Sequence, residues 1–411
     1  MGEQIRHGRQ RTGSRAGVVL RSVAVAAAVL LVSSVAVVGY AVGSVSSTFQ
    51  EAAVDIGGST PPPAPPFLGP VEGGFTMLVV GSDNDANQGE EYGEREGVRN
   101  DVNIVLHVAA DHQHAVALSL PRDLVIPQPA CGDSDAVDAL PLNDAWGRGG
   151  ENGLGCVVET VRELTGLDIA YAAETSFNGV IEMTNAVGGV DVCVTGDMSD
   201  PDSGVDLTAG HHVIAGQEAL AFLRNREGVG DGSDLSRIGS QQQYLSSLLR
   251  SIKSTSTLSD PAKIYGLAQA VVQNITPSTT LNGAGTLVSL ALTLKDIDLS
   301  QVVFVSYPVG TYAPDPNKVQ PVYDLADALT ERIAADQPFT LDAAATVPGS
   351  VVEGASTDPT APVEPVDPEA PVDPAAPPAT DAPTDSAATP EVLEGVSGQT
   401  AAEETCAEPN D

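Results

Sequence analysis

The sequence predicts an α/β domain whose sheet is covered by helices on both faces, with an N-terminal transmembrane helix before it and a disordered tail after it. Three observations carry this. Strand and helix patterns alternate from residue 75 to about 335, a basic leader precedes an apolar run at 22–43, and residues 345–411 are dominated by Pro, Ala, Thr, Asp and Glu. At 411 residues and 42% hydrophobic content, the chain suits one sizeable folded domain with extensions.

Taken in chain order, Arg6, Arg9, Arg11, Arg15 and Arg21 make residues 1–21 a cytoplasmic basic segment. Roughly 20 apolar residues cross a bilayer core and basic flanks stay inside, so 22–43 is expected to anchor a single-pass protein whose main domain is extracytoplasmic. A cleaved signal peptide is the alternative, but the run is longer than an ordinary h-region and no clear A-x-A site follows it. Residues 44–73 contain Pro61-Pro62-Pro63-Ala64-Pro65-Pro66 and form an extended spacer.

The core is expected over 74–255. Residues 75–80 are a short apolar strand stopped by Gly81. Val102, Ile104, Leu106 and Val108 alternate with Asn103, Val105 and His107 as a second strand, and 115–120 pairs with it through the polar turn Asp111-His112-Gln113. Helical spacing follows at Val157, Val158, Val161 and Leu164, closed by Gly166, and again over 177–186, closed by Gly188-Gly189. A strand at 190–194 and a helix at 217–224 come next. They lead to a long helix at about 236–253, in which Leu245, Leu248, Leu249 and Ile252 form a core stripe. Residues 256–344 complete the same domain with helices near 261–273 and 284–294, a strand at 301–307 and a helix at 322–335. The acidic tail at 345–411 has too few large apolar residues to offset its ordering entropy.

A formal net charge of −36 excludes nucleic acid as a partner, because phosphate backbones need a basic surface. Four cysteines fit an oxidising exterior. Cys131 and Cys156 flank a loop rich in Gly, Asp and Asn and are expected to staple it. Cys193 follows a strand and Cys406 lies in the tail, and their pairing is left open. His211-His212 reads as a solvated loop, and no Cys/His spacing matches a zinc site.

The chemistry lies in a few acids and arginines. The motifs are Gly81-Ser82-Asp83, Arg99-Asn100-Asp101, Pro121-Arg122-Asp123, Arg224-Asn225-Arg226, and Asp234-Leu235-Ser236-Arg237 leading to Gln241-Gln242-Gln243. Arginine suits a diphosphate because its planar fork donates paired hydrogen bonds and keeps its charge. Asp83 ends one strand and Asp101 begins its neighbour, so two carboxylates can meet and offer hard oxygen ligands to Mg²⁺. Taken singly, Asp83 would belong to a turn and Asp101 would pair with Arg99 or Arg122. Arg224 and Arg226 can both face one ligand only if the helix breaks near Arg224, whereas Arg237 and Gln241, four apart, share a helical face.

These motifs, with Leu118-Ser119-Leu120 before Pro121, Gly188-Gly189-Val190-Asp191-Val192, Ala219-Leu220-Ala221-Phe222 before Arg224, and Ile238 after Arg237, resemble the LytR-CpsA-Psr family of extracytoplasmic wall enzymes, actinobacterial type, over about 75–253. The resemblance implies a central mixed β-sheet sandwiched between helices and an apolar tunnel for a prenyl chain. It implies a phosphotransferase that moves an anionic glycopolymer from a polyprenyl-diphosphate carrier to a peptidoglycan hydroxyl at the cell membrane. Asp83 and Asp101 would hold Mg²⁺ (or Mn²⁺). Arg99, Arg122, Arg224, Arg226, Arg237 and Gln241 would bind the diphosphate, with Arg122, Asp234 and Arg237 as the catalytic set and Asp123 orienting arginines. The chain departs from the family pattern at Asp85, at Leu142 before Asn143, and at Ser240, where basic residues are usual, and at His211, where relatives often carry a cysteine. A polyprenyl-diphosphate phosphatase and a catalytically impaired wall-binding scaffold are the alternatives.

Overall fold

The computed structural model describes residues 52–58, 69–83, 97–254, 267, 270–281, 283–342, 347–353 and 391–410. Segments 1–21, 22–43 and most of the Pro-rich spacer lie outside the described residues, as do 255–266 and 268–269, which hold most of the predicted 261–273 helix. Among the described residues no helix is long and apolar enough to cross a membrane.

A mixed seven-stranded sheet organises the molecule, in the order Ile275–Pro277, Tyr171–Thr175, Phe75–Ser82, Asn100–Val108, Ala115–Ser119, Val302–Ser306, Gly398–Thr400. The Phe75–Ser82 strand runs antiparallel to Asn100–Val108 and parallel to Tyr171–Thr175. Alternation along it divides the core. Leu78 and Val80 point into one apolar layer with Leu118, Val157, Val161 and Ile333, while Phe75 and Met77 point into another with Tyr171, Phe304 and Leu290. Helices Gly153–Thr165 and Tyr323–Ala334 supply the first layer and Ala284–Lys295 the second, where Leu245 and Leu249 of Asp234–Ser254 also pack. Fully burying one such side chain contributes about 1.5–3 kcal/mol. The sheet is therefore covered on both faces, as the alternating pattern predicts.

A second, four-stranded sheet runs Gly210–Ile214, Val190–Val194, Thr405–Ala407, Ser350–Val352. It corrects two expectations. His211 and His212 lie in a strand, not a loop: His211 pairs across from Cys193, and its imidazole bridges Asp191 and Glu353 at 3.2 and 3.0 Å. Only Ile214 of its strand is buried, so the apolar alternation that would reveal it is missing.

The second correction concerns the tail at 345–411, which is not disordered throughout. Residues 350–352 and 405–407 are strands of this sheet, and 398–400 forms an edge of the large one. Val396, Ala401, Cys406 and Ala407 are buried, and Cys406 forms a disulfide with Cys193. Averaging over the Pro/Ala-rich stretch conceals these few anchoring residues. Residues 354–390 lie outside the described ones. The expected Cys131–Cys156 disulfide is present, with Cα atoms 5.5 Å apart.

Candidate active site

A cavity of ≈ 330 Å³ opens on the second apolar layer, between the sheet and helices Phe177–Val187, Gly216–Arg224 and Asp234–Ser254. Most of its wall is hydrocarbon. Val79, Val102 and Ile104 come from the sheet, and Val180, Met183 and Val187 line it at helical spacing from one stripe. Its other end carries Asp101, Arg122, Arg224, Arg226, Arg237 and Gln241.

A β-bulge places Asp101. Gly81 pairs with Val102 but Ser82 pairs with Asn100, so Asp101 is the extra residue, and it shares the cavity wall with its neighbour Val102. Gly81 is required here, since a Cβ would lie 2.9 Å from that of Val102. Asp101 accepts from Arg122 Nη1 at 2.9 Å through its carboxylate and from Arg237 Nη2 at 2.9 Å through its carbonyl. Asp234, at the start of its helix, holds the same two arginines. Its Oδ2 accepts the Arg122 backbone N–H at 3.2 Å, and its Oδ1 lies 2.5 Å from Arg237 Nη2 and 3.6 Å from Arg122 Nε. Asp123 lies 3.6 Å from Arg122 Nε and 3.6 Å from Lys318 Nζ.

The Gly216–Arg224 helix stops at Arg224 because Asn225 turns extended, at φ −56° and ψ 125°. That break lets Arg224 and Arg226 line the same cavity. Asn225 is fully buried and accepts the Gly228 N–H at 3.0 Å, while the Arg226 N–H donates to Asp200 at 3.3 Å. Arg224 lies 4.6 Å over the Phe177 ring. Gln241 lines the cavity and donates to the Leu223 carbonyl at 3.1 Å, tying the end of the Arg224 helix to the long helix.

Two expected ligands lie apart from this wall. Arg99 is 54% exposed and 3.9 Å from Asp144, and its backbone N–H donates to the buried carboxylate of Asp83 at 2.9 Å. Asp83 follows the end of the Phe75–Ser82 strand, just past the bulge. Phe177, Asp200 and Asn225 belong to the site's support, and no sequence motif points to Phe177 or Asp200 because their partners are distant in the chain.

The cluster's electrostatics follow from burial and pairing. Burial acts to lower the Arg122 pKa, but Asp101, Asp234 and Asp123 outweigh it and leave Arg122 above an ordinary arginine. Burial pulls Arg237 below the arginine range; Asp234 opposes this and Arg122 adds to it. Arginine keeps its proton at any physiological pH, so both remain cations. The Nε atoms of Arg122, Arg226 and Arg237 are buried with no hydrogen-bond acceptor among the described residues. Guanidinium groups with donors that no protein acceptor takes therefore gather, beside their aspartate partners, at one end of an apolar cavity. Asp101 places one carboxylate on this wall, while Asp83 takes the Arg99 backbone N–H.

Fold and cavity together give an α/β scaffold with a largely apolar cavity that also carries a group of arginines. The chain belongs to the LytR_cpsA_psr family, whose model matches residues 44–334. It is 31% identical over 272 residues to the cell wall biosynthesis protein LcpA of Corynebacterium glutamicum, covering 58% of this chain and 50% of that protein. It is 28% identical over 250 residues to the polyisoprenyl-teichoic acid–peptidoglycan teichoic acid transferase TagT of Bacillus subtilis, covering 59% and 72%. The chain thus spans about half the length of LcpA. Its fold is similar to that of a LytR-Csp2A-Psr enzyme from Actinomyces oris, with a TM-score of 0.52 and 23% identity over 69% of this chain and 95% of that one.

Proposed function

We propose that the protein is a membrane-anchored extracytoplasmic phosphotransferase that moves an anionic glycopolymer from a polyprenyl-diphosphate carrier onto a peptidoglycan hydroxyl, assisted by Mg²⁺ or Mn²⁺. One observation carries the reading: Arg122, Arg224, Arg226 and Arg237 line one end of a cavity whose remaining wall is mainly apolar. The transferase name of TagT and the wall-biosynthesis name of LcpA support it. The 22–43 run supports the anchor.

In this reading the prenyl chain lies along Val180, Met183, Leu220 and Leu248, and the diphosphate lies among the guanidiniums. The acceptor oxygen forms a bond to the phosphorus bearing the glycopolymer, the bond to the bridging oxygen breaks, and polyprenyl phosphate leaves. The hydroxyl proton passes to a carboxylate of the site. Charge grows on the leaving phosphate, and arginines fixed beforehand stabilise it without reorganising. Asp101 with Asp83 would hold the divalent cation, which supplies further charge neutralisation when bound. Both carboxylate oxygens of Asp234 face arginine donors, so Asp234 acts as a positioning residue.

The test incubates the detergent-purified full chain with lipid-linked oligosaccharide, peptidoglycan glycan and Mg²⁺. Formation of the glycan conjugate is expected. Inorganic phosphate without conjugate would mean a phosphatase, and no reaction with a donor that a family relative accepts would reject the proposal.

A further inference from the structure

We infer that Phe177 is a positioning residue that sets Arg224 for the diphosphate and marks where the anionic head ends and the apolar channel begins. This rests on the proposed donor class. Phe177 is the first residue of the Phe177–Val187 helix, whose cap Ser176 accepts the Gly179 N–H at 3.3 Å. Its ring is 8% exposed, lines the cavity, and lies 4.6 Å from the guanidinium carbon of Arg224.

Three features make this contact more than packing. An aromatic face attracts a cation through its quadrupole, and the attraction strengthens where water is excluded. The five N–H donors of a guanidinium lie in its own plane, so contact over the ring uses none of them. Phe177 also opens the cavity stripe continued by Val180, Met183 and Val187, so one side chain touches the last cation and the first stretch of hydrocarbon. The positive end of its helix dipole lies at the same place, with Thr175 and Ser176 also on the wall. A leucine there would preserve the channel but remove the ring face beside Arg224.

The experiment measures binding of geranylgeranyl diphosphate and of geranylgeraniol to the full chain in detergent, for wild type, F177L, F177W, R224A and F177L/R224A. F177L is expected to weaken diphosphate binding about tenfold, the scale of a desolvated cation–π contact, and to weaken alcohol binding far less. F177W is expected to restore the affinity, and F177L to add nothing in the R224A background. In the transfer assay, KM for the donor should rise with kcat less affected, because the contact is present in ground and transition states alike. Equal loss of diphosphate and alcohol binding would show that Phe177 only shapes the channel and would overturn the inference. So would full additivity with R224A. A wild-type protein that does not prefer the diphosphate to the alcohol would remove both the inference and the donor class beneath it.

Discussion

Asp234 joins Arg122 to Arg237: its Oδ2 receives the Arg122 backbone N–H at 3.2 Å and its Oδ1 lies 2.5 Å from Arg237 Nη2. The carboxylate thereby links the loop after the Ala115–Ser119 strand to the first turn of the Asp234–Ser254 helix. Replacing it with Asn removes the charge that compensates two buried cations. Breaking a buried pair costs about 3–5 kcal/mol, so D234N should unfold at lower denaturant and lose most transfer activity. Urea titration beside a transfer assay measures both. Wild-type stability in D234N would show that the arginines need no such anchor.

Arg237 uses one nitrogen, Nη2, to reach both the Asp234 carboxylate and the Asp101 carbonyl. Its Nε has no acceptor among the described residues, and lysine, a single compact ammonium, cannot hold both acceptors and also offer that further donor. Burial that already lowers the arginine pKa would also push a lysine toward its neutral form. R237K should therefore lower kcat by about 10²-fold, the usual scale for losing one donor to developing negative charge. Steady-state kinetics with saturating donor decide it, and a change confined to KM would assign Arg237 to ground-state binding alone.

Much of this was legible in the sequence where the signal is local. The apolar run ending at Gly81, the alternation from Val102 to Val108 and the stripe Leu245, Leu248, Leu249 each predict an element that the structure contains. The arginine motifs were legible as a set because cations are scarce in an acidic chain. The side on which each residue falls was not. A bulge of one residue turns Asp101 to the cavity wall, and no pattern of hydrophobicity encodes it. The tail differs from its composition for the same reason: a strand at 405–407 is held between Ser350–Val352 and Val190–Val194, the second of these 213 residues away between Cys193 and Cys406, and composition records no partner.

Cys406 tests that long-range closure. Its disulfide to Cys193 spans 213 residues, and the Gln243 side chain donates to both the Cys193 and Thr405 carbonyls at 2.7 Å. Beyond it, Glu408 and Asn410 bond the backbone of Gly230 and Gly228, in the loop between Arg226 and Asp234. C406S should lose about 3–5 kcal/mol, the scale for a native disulfide closing a long loop, and dithiothreitol should lower the wild-type Tm at least as far, since it opens Cys131–Cys156 as well. Equal melting of oxidised and reduced protein would show that the tail adds no closure.

The divalent cation is separable from the arginine scaffold by titration. Asp101 serves Arg122 as well as a proposed metal, whereas Asp234 serves the arginines alone. D83N and D101N should each raise the Mg²⁺ concentration needed for half-maximal rate, while the residual activity of D234N should keep the wild-type dependence. Full activity after chelation by EDTA would remove the metal from the scheme.

His107 offers a pH test remote from the catalytic groups. Its ring is buried between Thr76 Oγ1, at 3.0 Å from Nδ1, and Asp336 Oδ1, at 2.8 Å from Nε2. An ionised carboxylate accepts only, so Nε2 carries the proton and Nδ1 receives the threonine hydroxyl. Desolvation lowers the His107 pKa; Asp336 acts in the opposite direction without overcoming it, and His114 adds to the lowering. The unfolded chain therefore takes up a proton more readily than the folded one. The contribution of neutral His107 is fully present above about pH 6.5, the unperturbed histidine value, and is lost progressively as pH falls below it. Tm should decline between about pH 7 and 5, and H107Q should flatten part of that slope. Exposed His211, bridged to Glu353 and Asp191, has a raised pKa and works in the opposite sense, losing its contribution as pH rises. The H107Q/H211Q pair measured by thermal melts separates the two. A steeper acid decline in H107Q than in wild type would reverse the sign assigned to His107.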